Sequence, residues 1–361
     1  MARTVNETRY TPDFDIWLLL VTVALMGLGL VMVASTSMSI GELKYHDPFY
    51  FVVRQALYIV LSVALASFAV RIPLKYWRMA ALPLLGAGIL LLALVLVPSI
   101  GREVNGSTRW ISFGIMNVQA SEVMKFSIII YLAAYLAEFG EKIEASLGVV
   151  VWPVILVMVC ALLLLAEPDV GATVVIAAIV LGMMFLAGLR FLHFFVLAAL
   201  AALAVFTVAQ VSAEHWARLT TFLDPWAKAF DEGFQLTQAL IAFGRGEWLG
   251  VGLGEGIQKL FYLPEAHTDF LFAMLAEELG LVASLLVIAL FLFVVGRALL
   301  IGHRAAVAGL QFGAYLAYGL GLLIGLQALV NIGVNMGVLP TKGLTLPLMS
   351  YGGSSLVITT V

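Results

Sequence analysis

Residues 262–270 read YLPEAHTDF, and the chain then runs directly into LFAMLAEELGLVASLLVIALFLFVV, residues 271–295. An apolar stretch of roughly 18 residues or more is long enough to cross a bilayer as a helix, so this stretch predicts a membrane-spanning α-helical protein. The block before it is the unusual part. A carboxylate, an imidazole and a hydroxyl at the edge of a membrane segment lose hydration, and ionisable groups kept there are functional candidates by default. Asp269 is the first of them.

Further apolar windows lie near 14–38, 49–70, 77–98, 120–138, 148–165, 170–188, 190–212, 269–297 and 306–335, and a shorter one starts at about 347. Together they predict an all-α, polytopic membrane protein of about ten transmembrane helices, with a long outer loop between the seventh and eighth. The windows do not alternate as the strands of a membrane barrel would. Hydrophobic residues make up 63% of the 361 and charged residues 11%, which excludes an ordinary soluble domain. The net charge of −3 includes no basic tract, so nucleic acid is not an expected partner. The lone cysteine, Cys160, sits in VILVMVCALLLL and reads as a small buried hydrophobe.

Arg3 and Arg9 precede the apolar run 16–34, which is too long for a signal-peptide core and reads as a retained first helix. Residues 347–361 are too few for a full span, so the last helix is expected to be truncated. The chain, 1–361, is expected to be one integral membrane domain. With an odd-numbered helix leaving the cytoplasm, Arg71, Lys75, Arg78, Lys142, Arg190, Arg297 and Arg304 fall inside with the N-terminal arginines. Both termini are then cytoplasmic. The outer side receives 99–119, the AEPD turn at 166–169, a large periplasmic loop at 213–268, and 336–346. The loop 213–268 holds Trp216, Phe222, Trp226, Phe230, Phe234, Phe243 and Trp248 among Leu and Ile, a composition suited to interfacial amphipathic helices.

Several constellations have plain readings beside functional ones. The alternating glycines of GVGLGEG, Gly250 to Gly256, lack the strand and following helix of a dinucleotide site and read as flexible backbone. Glu122 and Lys125 share a helix face, as a structural ion pair or as substrate-binding groups. Arg109, beside Trp110 and without a local acid, offers a fork suited to phosphate oxygens. Gln327, Asn331 and Asn335 recur every four residues and read mainly as interhelical hydrogen-bonding groups. His267 has no metal-ligand spacing and reads as a hydrogen-bonding residue. Glu277 and Glu278 are open between structural and proton-tuning roles.

Two stretches, YLPEAHTDFLFAMLAEELG and NMGVLPTKGLTLPLMSYGGSS, resemble the SEDS family of peptidoglycan polymerases, and NGSTRWISFG, the EPD turn and FLDPW extend the likeness. PTKGLTLP at 340–347 is similar to the division branch more than the elongation branch. Ala120, in place of a usual proline, AKAFDEGFQ after FLDPW, and Phe261 depart from the family wording.

The resemblance implies a peptidoglycan glycosyltransferase of the inner membrane, located at the division septum. It would polymerise lipid II with a class B penicillin-binding transpeptidase and other divisome membrane proteins as partners. It also implies that Asp269 is essential and that Arg109 and Lys342 match the family's outer-loop cations. Chemically, Asp269 would take the proton of a sugar 4-hydroxyl while Arg109 and Lys342 hold the departing diphosphate, with Mg2+ or Mn2+ as a candidate helper. Glu265, His267, Thr268 and Ser350 would line the same substrate pocket. The alternatives are a lipid II flippase or other transporter, and the elongation-type polymerase.

Overall fold

The computed structural model describes residues 15–104, 107–112, 117–144, 146–211, 220–260, 262–341 and 343–361. Arg3, Arg9, Trp216, Phe261 and Lys342 fall outside these residues.

Helices occupy the apolar windows: Ile16–Tyr45, Tyr50–Ala69, Ala81–Val95, Ala120–Phe139, Leu147–Ala166, Val170–Leu186, Phe191–Val211, Leu271–Val307 and Gln311–Asn335, followed by Gly353–Thr360. Among the described residues, seven helices are long and apolar enough to cross a membrane, and Ala81–Val95 and Val170–Leu186 are shorter apolar helices. The chain is a multi-pass, mainly α-helical membrane protein, because helices satisfy their own backbone groups where water cannot. Phe191–Val211 presents Phe191, Leu192, Phe195 and Leu200 outward, an apolar exterior suited to lipid. One core gathers around Ala120–Phe139 and Val170–Leu186, through Met124, Ile128, Ile179 and Met183. A second gathers around the start of Leu271–Val307 and reaches Leu25, Met32 and Met349.

Two features depart from a simple array of spans. The segment 99–119 contains a three-stranded antiparallel sheet, Gly101–Val104, Ser107–Ser112 and Asn117–Gln119. Val104 pairs with Ser107, and the sequence between them, Asn-Gly, is a strong hairpin signal. The last strand feeds directly into Ala120–Phe139 and thereby fixes the sheet, with Arg109 on its central strand, to the bundle.

The other departure is a break in the long helix Leu271–Val307. Gly280 has φ 75° and ψ −172°, a conformation open to glycine and not to other residues at reasonable cost. The break frees backbone groups that residues 247–252 take up. Val251 and Gly252 donate N–H groups to the Glu277 and Glu278 carbonyls (3.0 Å each), while Leu281 and Val282 donate to the Glu247 and Trp248 carbonyls (3.0 and 3.2 Å). A Cβ on Gly280 would lie 2.3 Å from the Gly250 nitrogen, so the two segments meet backbone to backbone.

The buried carboxylates of Glu277 and Glu278 hold the same segment. Glu277 accepts from the Ile257 and Gln258 N–H groups (3.1 and 3.2 Å), and Glu278 accepts from Gly254 N–H (3.1 Å) and Lys259 Nζ (2.8 Å). The pair is thus structural, and the glycine-rich run is a shaped strap bound to the kink. The helix Phe234–Gly246 precedes that strap and packs on the long helix, giving ordered structure to much of the loop 213–268.

Candidate functional site

Asp269 stands one residue before the cap of Leu271–Val307, and two asparagines from another helix set its main chain. Asn331 and Asn335 both donate through Nδ2 to the Asp269 carbonyl, at 2.8 and 2.9 Å. Asn335 Oδ1 accepts from Ala273 N–H at 3.0 Å, which caps the first turn of the long helix from outside. Asn331 Nδ2 also donates to the Leu344 carbonyl at 2.6 Å and so ties the loop 336–346 to the same point. The four-residue recurrence of Gln327, Asn331 and Asn335 does join helices, and its two outer members do so through the backbone of the polar block. Asn335→Leu is expected to leave the Ala273 N–H unpaired, with the Asp269 carbonyl still held by Asn331, and to cost about 1–3 kcal/mol, measurable as a lowered Tm of the purified protein.

With the main chain fixed, Asp269 is half-buried and its carboxylate lies against the loop 336–346. A Cβ on Gly343 would sit 3.1 Å from Asp269 Oδ2, so a larger residue here would crowd the carboxylate. Lys342, the expected cation of that loop, lies outside the described residues. Glu265, Arg109 and Asp169 supply the charges that act on Asp269. Burial, reinforced by the Glu265 and Asp169 carboxylates and opposed by the Arg109 guanidinium, pushes the Asp269 carboxyl up to about 7.

Arg109 reaches this place from the central strand of the sheet. Its Nε donates to the Glu167 carbonyl at 3.4 Å and its Nη2 to the Pro168 carbonyl at 2.6 Å, so it grips the EPD turn by its backbone. Asp169 caps the helix Val170–Leu186, accepting from Ala172 N–H at 3.1 Å. Segments far apart in sequence therefore converge at one end of the bundle: the sheet, the EPD turn, the polar block and the loop 336–346. The part played by Glu167 and Asp169 is missing from the sequence reading, which noted their turn as an outer connection and as part of the family likeness without giving either residue a role.

The remaining predicted site residues are distributed unevenly. Thr268 Oγ1 donates to Glu265 Oε2 at 2.9 Å and to the Glu265 carbonyl at 3.1 Å, closing a tight turn in which Glu265 adopts φ 56°. A non-glycine residue in that region of backbone space is uncommon and is often found at functional sites. His267 is buried, with its ring 4.7 Å from Phe51 and 5.6 Å from Tyr351, and its carbonyl accepts from Tyr351 N–H at 3.0 Å. Burial holds the imidazole below its usual range, against the pull of Glu265. Ser350 is also buried and accepts from Leu346 N–H at 3.0 Å, while its carbonyl accepts from Gln55 Nε2 at 3.3 Å. Both residues thus fasten the polar block and the segment 346–351 to the bundle.

Glu122 and Lys125 form a buried ion pair of 2.6 Å, with Gln327 Nε2 at 3.5 Å from Glu122 Oε1. They are not among the groups that act electrostatically on Asp269. Among the described residues, no three His, Cys, Asp or Glu side chains are grouped to hold a metal ion.

Comparison with known proteins agrees with this architecture. Residues 16–361 match the FtsW, RodA and SpoVE family model, described as "cell cycle protein". The chain is 55% identical over 351 residues to the probable peptidoglycan glycosyltransferase FtsW of Nitrosococcus halophilus, covering 97% of this chain and 90% of that protein. It is 54% identical to the corresponding protein of Thioalkalivibrio sulfidiphilus, covering 98% and 88%. Among solved structures, a chain from a peptidoglycan synthase complex that coordinates polymerization and crosslinking superposes with a TM-score of 0.79 at 31% identity, covering 97% of this chain and 95% of that one. Rod shape determining protein RodA of Thermus thermophilus gives 0.71 at 27% identity, covering 97% and 94%. With the family model spanning nearly all of its length and relatives more than half identical to it, this chain belongs to the FtsW, RodA and SpoVE family of cell cycle proteins.

Proposed function

We propose that this peptidoglycan glycosyltransferase polymerises lipid II at the outer face of the inner membrane, with Asp269 as general base and Arg109 as the anchor for the departing diphosphate. The reaction joins the 4-hydroxyl oxygen of one sugar to the anomeric carbon of the next. The bond from that carbon to the phosphate oxygen breaks, and the polyprenyl diphosphate leaves with the electron pair. The hydroxyl proton passes to a carboxylate. A base suits this step when it is ionised near neutral pH yet basic enough to accept a proton, and a carboxyl pushed up to about 7 meets both demands. A cation beside it stabilises the charge that develops on the leaving diphosphate. The observation that carries this reading is the convergence of Arg109 and Asp269, from separate outer segments, at one end of the bundle.

Glu265 and Thr268 border the same place, and Lys342 adds a second cation. His267 and Ser350 act through the main chain they hold, and Glu122 with Lys125 supports the bundle from within. Mg2+ commonly binds one or two carboxylates together with substrate phosphates, so Mg2+ or Mn2+ would arrive with the diphosphate. The septal location, the cytoplasmic termini, the class B penicillin-binding transpeptidase and the other divisome partners belong to this reading. So does the assignment of 213–268 to the periplasm, as part of a single membrane domain.

The buried Glu122–Lys125 pair is the feature that favours a transporter, since ionisable groups inside a membrane bundle often mark a pathway. The two readings separate in vesicles loaded with lipid II. The purified chain with its transpeptidase is expected to make glycan strands, with head-group translocation no faster than in protein-free vesicles. Rapid translocation without strand synthesis would establish the transporter instead.

A further inference from the structure

Glu167 ends the helix Leu147–Ala166 and opens the EPD turn. It is fully buried, at 0% exposure, and neither carboxyl oxygen has a hydrogen-bond partner among the described residues. The guanidinium of Arg109 lies beside it and yet donates to the carbonyls of Glu167 and Pro168, leaving the carboxyl aside. The charged groups that act on Glu167 are Asp169, from the same turn, and Arg109, from the outer sheet. Asp169 is already engaged as the cap of the next helix.

An ionised carboxylate in this setting would be a buried charge without hydrogen bonds, and the protonated acid, though also unpaired, costs far less. Burial and the neighbouring Asp169 charge, against the attraction of Arg109, push the Glu167 carboxyl up to about 8. The acid is therefore mostly neutral around pH 7.

We propose that Glu167 is a positioning residue, kept as a neutral acid so that Arg109 is anchored by backbone carbonyls while its positive charge stays uncompensated for an anionic diphosphate substrate group. A carboxylate at this position would pair with Arg109 and add a negative charge beside the substrate. The neutral acid fills the same space and does neither. This inference rests on the reading of Arg109 as the diphosphate anchor.

The sign of the pH effect follows directly. The raised value means that Glu167 loses its proton only on the alkaline side, and substrate binding weakens as it does. The test is steady-state polymerisation of lipid II by the full chain with its transpeptidase in vesicles, from about pH 6 to about pH 9.5. For the unmodified protein, KM is expected to climb above about pH 8, approaching tenfold per pH unit, with little change in kcat. Glu167→Gln is expected to keep KM level over that range and within about twofold of the unmodified value at pH 7.

An unchanged alkaline rise in Glu167→Gln, or a loss of about tenfold or more at pH 7, would overturn the proposal. Should that variant assemble poorly, Glu167→Met, neutral and of similar length, takes its place with the same two outcomes. Arg109→Ala run in parallel separates the two layers of argument. If Arg109→Ala leaves KM unchanged, the diphosphate anchor itself is wrong and this inference falls with it. If Arg109→Ala raises KM while Glu167→Gln keeps the alkaline rise, only the role of Glu167 is refuted.

Discussion

Asp269→Asn is expected to lower glycan-strand synthesis by about 10²- to 10⁴-fold, the range associated with loss of a positioned general base. The substitution preserves shape: the Asn331 and Asn335 amides hold the Asp269 carbonyl, not its side chain, so the main chain of the polar block remains in place. The close approach of Gly343 to Oδ2 is also kept by an amide of the same size. Co-purification with the transpeptidase and an unchanged elution profile would establish that the loss is chemical. Asp269→Glu should be nearly as inactive, because one more methylene drives the carboxylate into the glycine-lined approach. The pH profile supplies an independent check. A carboxyl raised to about 7 is ionised above that pH, so kcat/KM for the unmodified protein should rise through about 7, before the alkaline fall that ionisation of Glu167 brings above about pH 8. The residual rate of Asp269→Asn should lack that acid limb. Burying a carboxylate whose protonation is favoured also costs folding stability as pH rises toward 7, so Asp269→Asn should melt higher than the unmodified protein at pH 8. Full activity in Asp269→Asn would remove this residue from the chemistry.

The membrane spans were legible because bilayer thickness imposes a length of apolar sequence, and that constraint acts on each window by itself. The break at Gly280 was not. Its freed backbone groups are satisfied by residues 247–252, and no local pattern tells that a distant strap will supply the hydrogen bonds. The outer sheet did have a local signal in Asn105–Gly106, but the strands are too short for hydropathy to register. In the site, Asp269 stood out because a carboxylate beside an oily helix is expensive, and Glu122–Lys125 because three residues along a helix place two side chains together. The neighbourhood of Glu167 and Asp169 is different in kind. Their EPD turn carries no unusual spacing, and its bearing on Asp269 depends on Arg109 crossing from the sheet to grip two carbonyls. His267 and Ser350 look like ligand-facing groups in a polar motif, yet burial and backbone contacts make them fasteners. A motif marks where chemistry is concentrated without separating the reacting groups from those that hold them.

Arg109→Ala is expected to reduce kcat/KM for lipid II by about 10²- to 10³-fold, comparable with losing one preorganised donor at a site of developing charge. Two effects combine in it: the leaving diphosphate loses a cation, and the EPD turn loses the fork that joins it to the sheet. Arg109→Lys separates them. A lysine keeps the charge but is a point donor without a planar fork, so it cannot reproduce both carbonyl contacts and also meet phosphate oxygens bidentately. If charge alone mattered, Arg109→Lys would recover most of the rate; the geometry here predicts recovery of about tenfold at best. Salt gives the second readout. Attraction between a half-buried guanidinium and a diphosphate is screened by ions, so the KM of the unmodified protein should rise with ionic strength more steeply than that of Arg109→Ala. Inorganic pyrophosphate, which carries the head-group charge without the lipid, should compete with lipid II for the unmodified protein and compete poorly for the alanine variant. An alanine variant with unchanged KM, unchanged salt dependence and undiminished competition would mean that another cation receives the leaving group. Arg109 would then remain only as the tie between the sheet and the EPD turn.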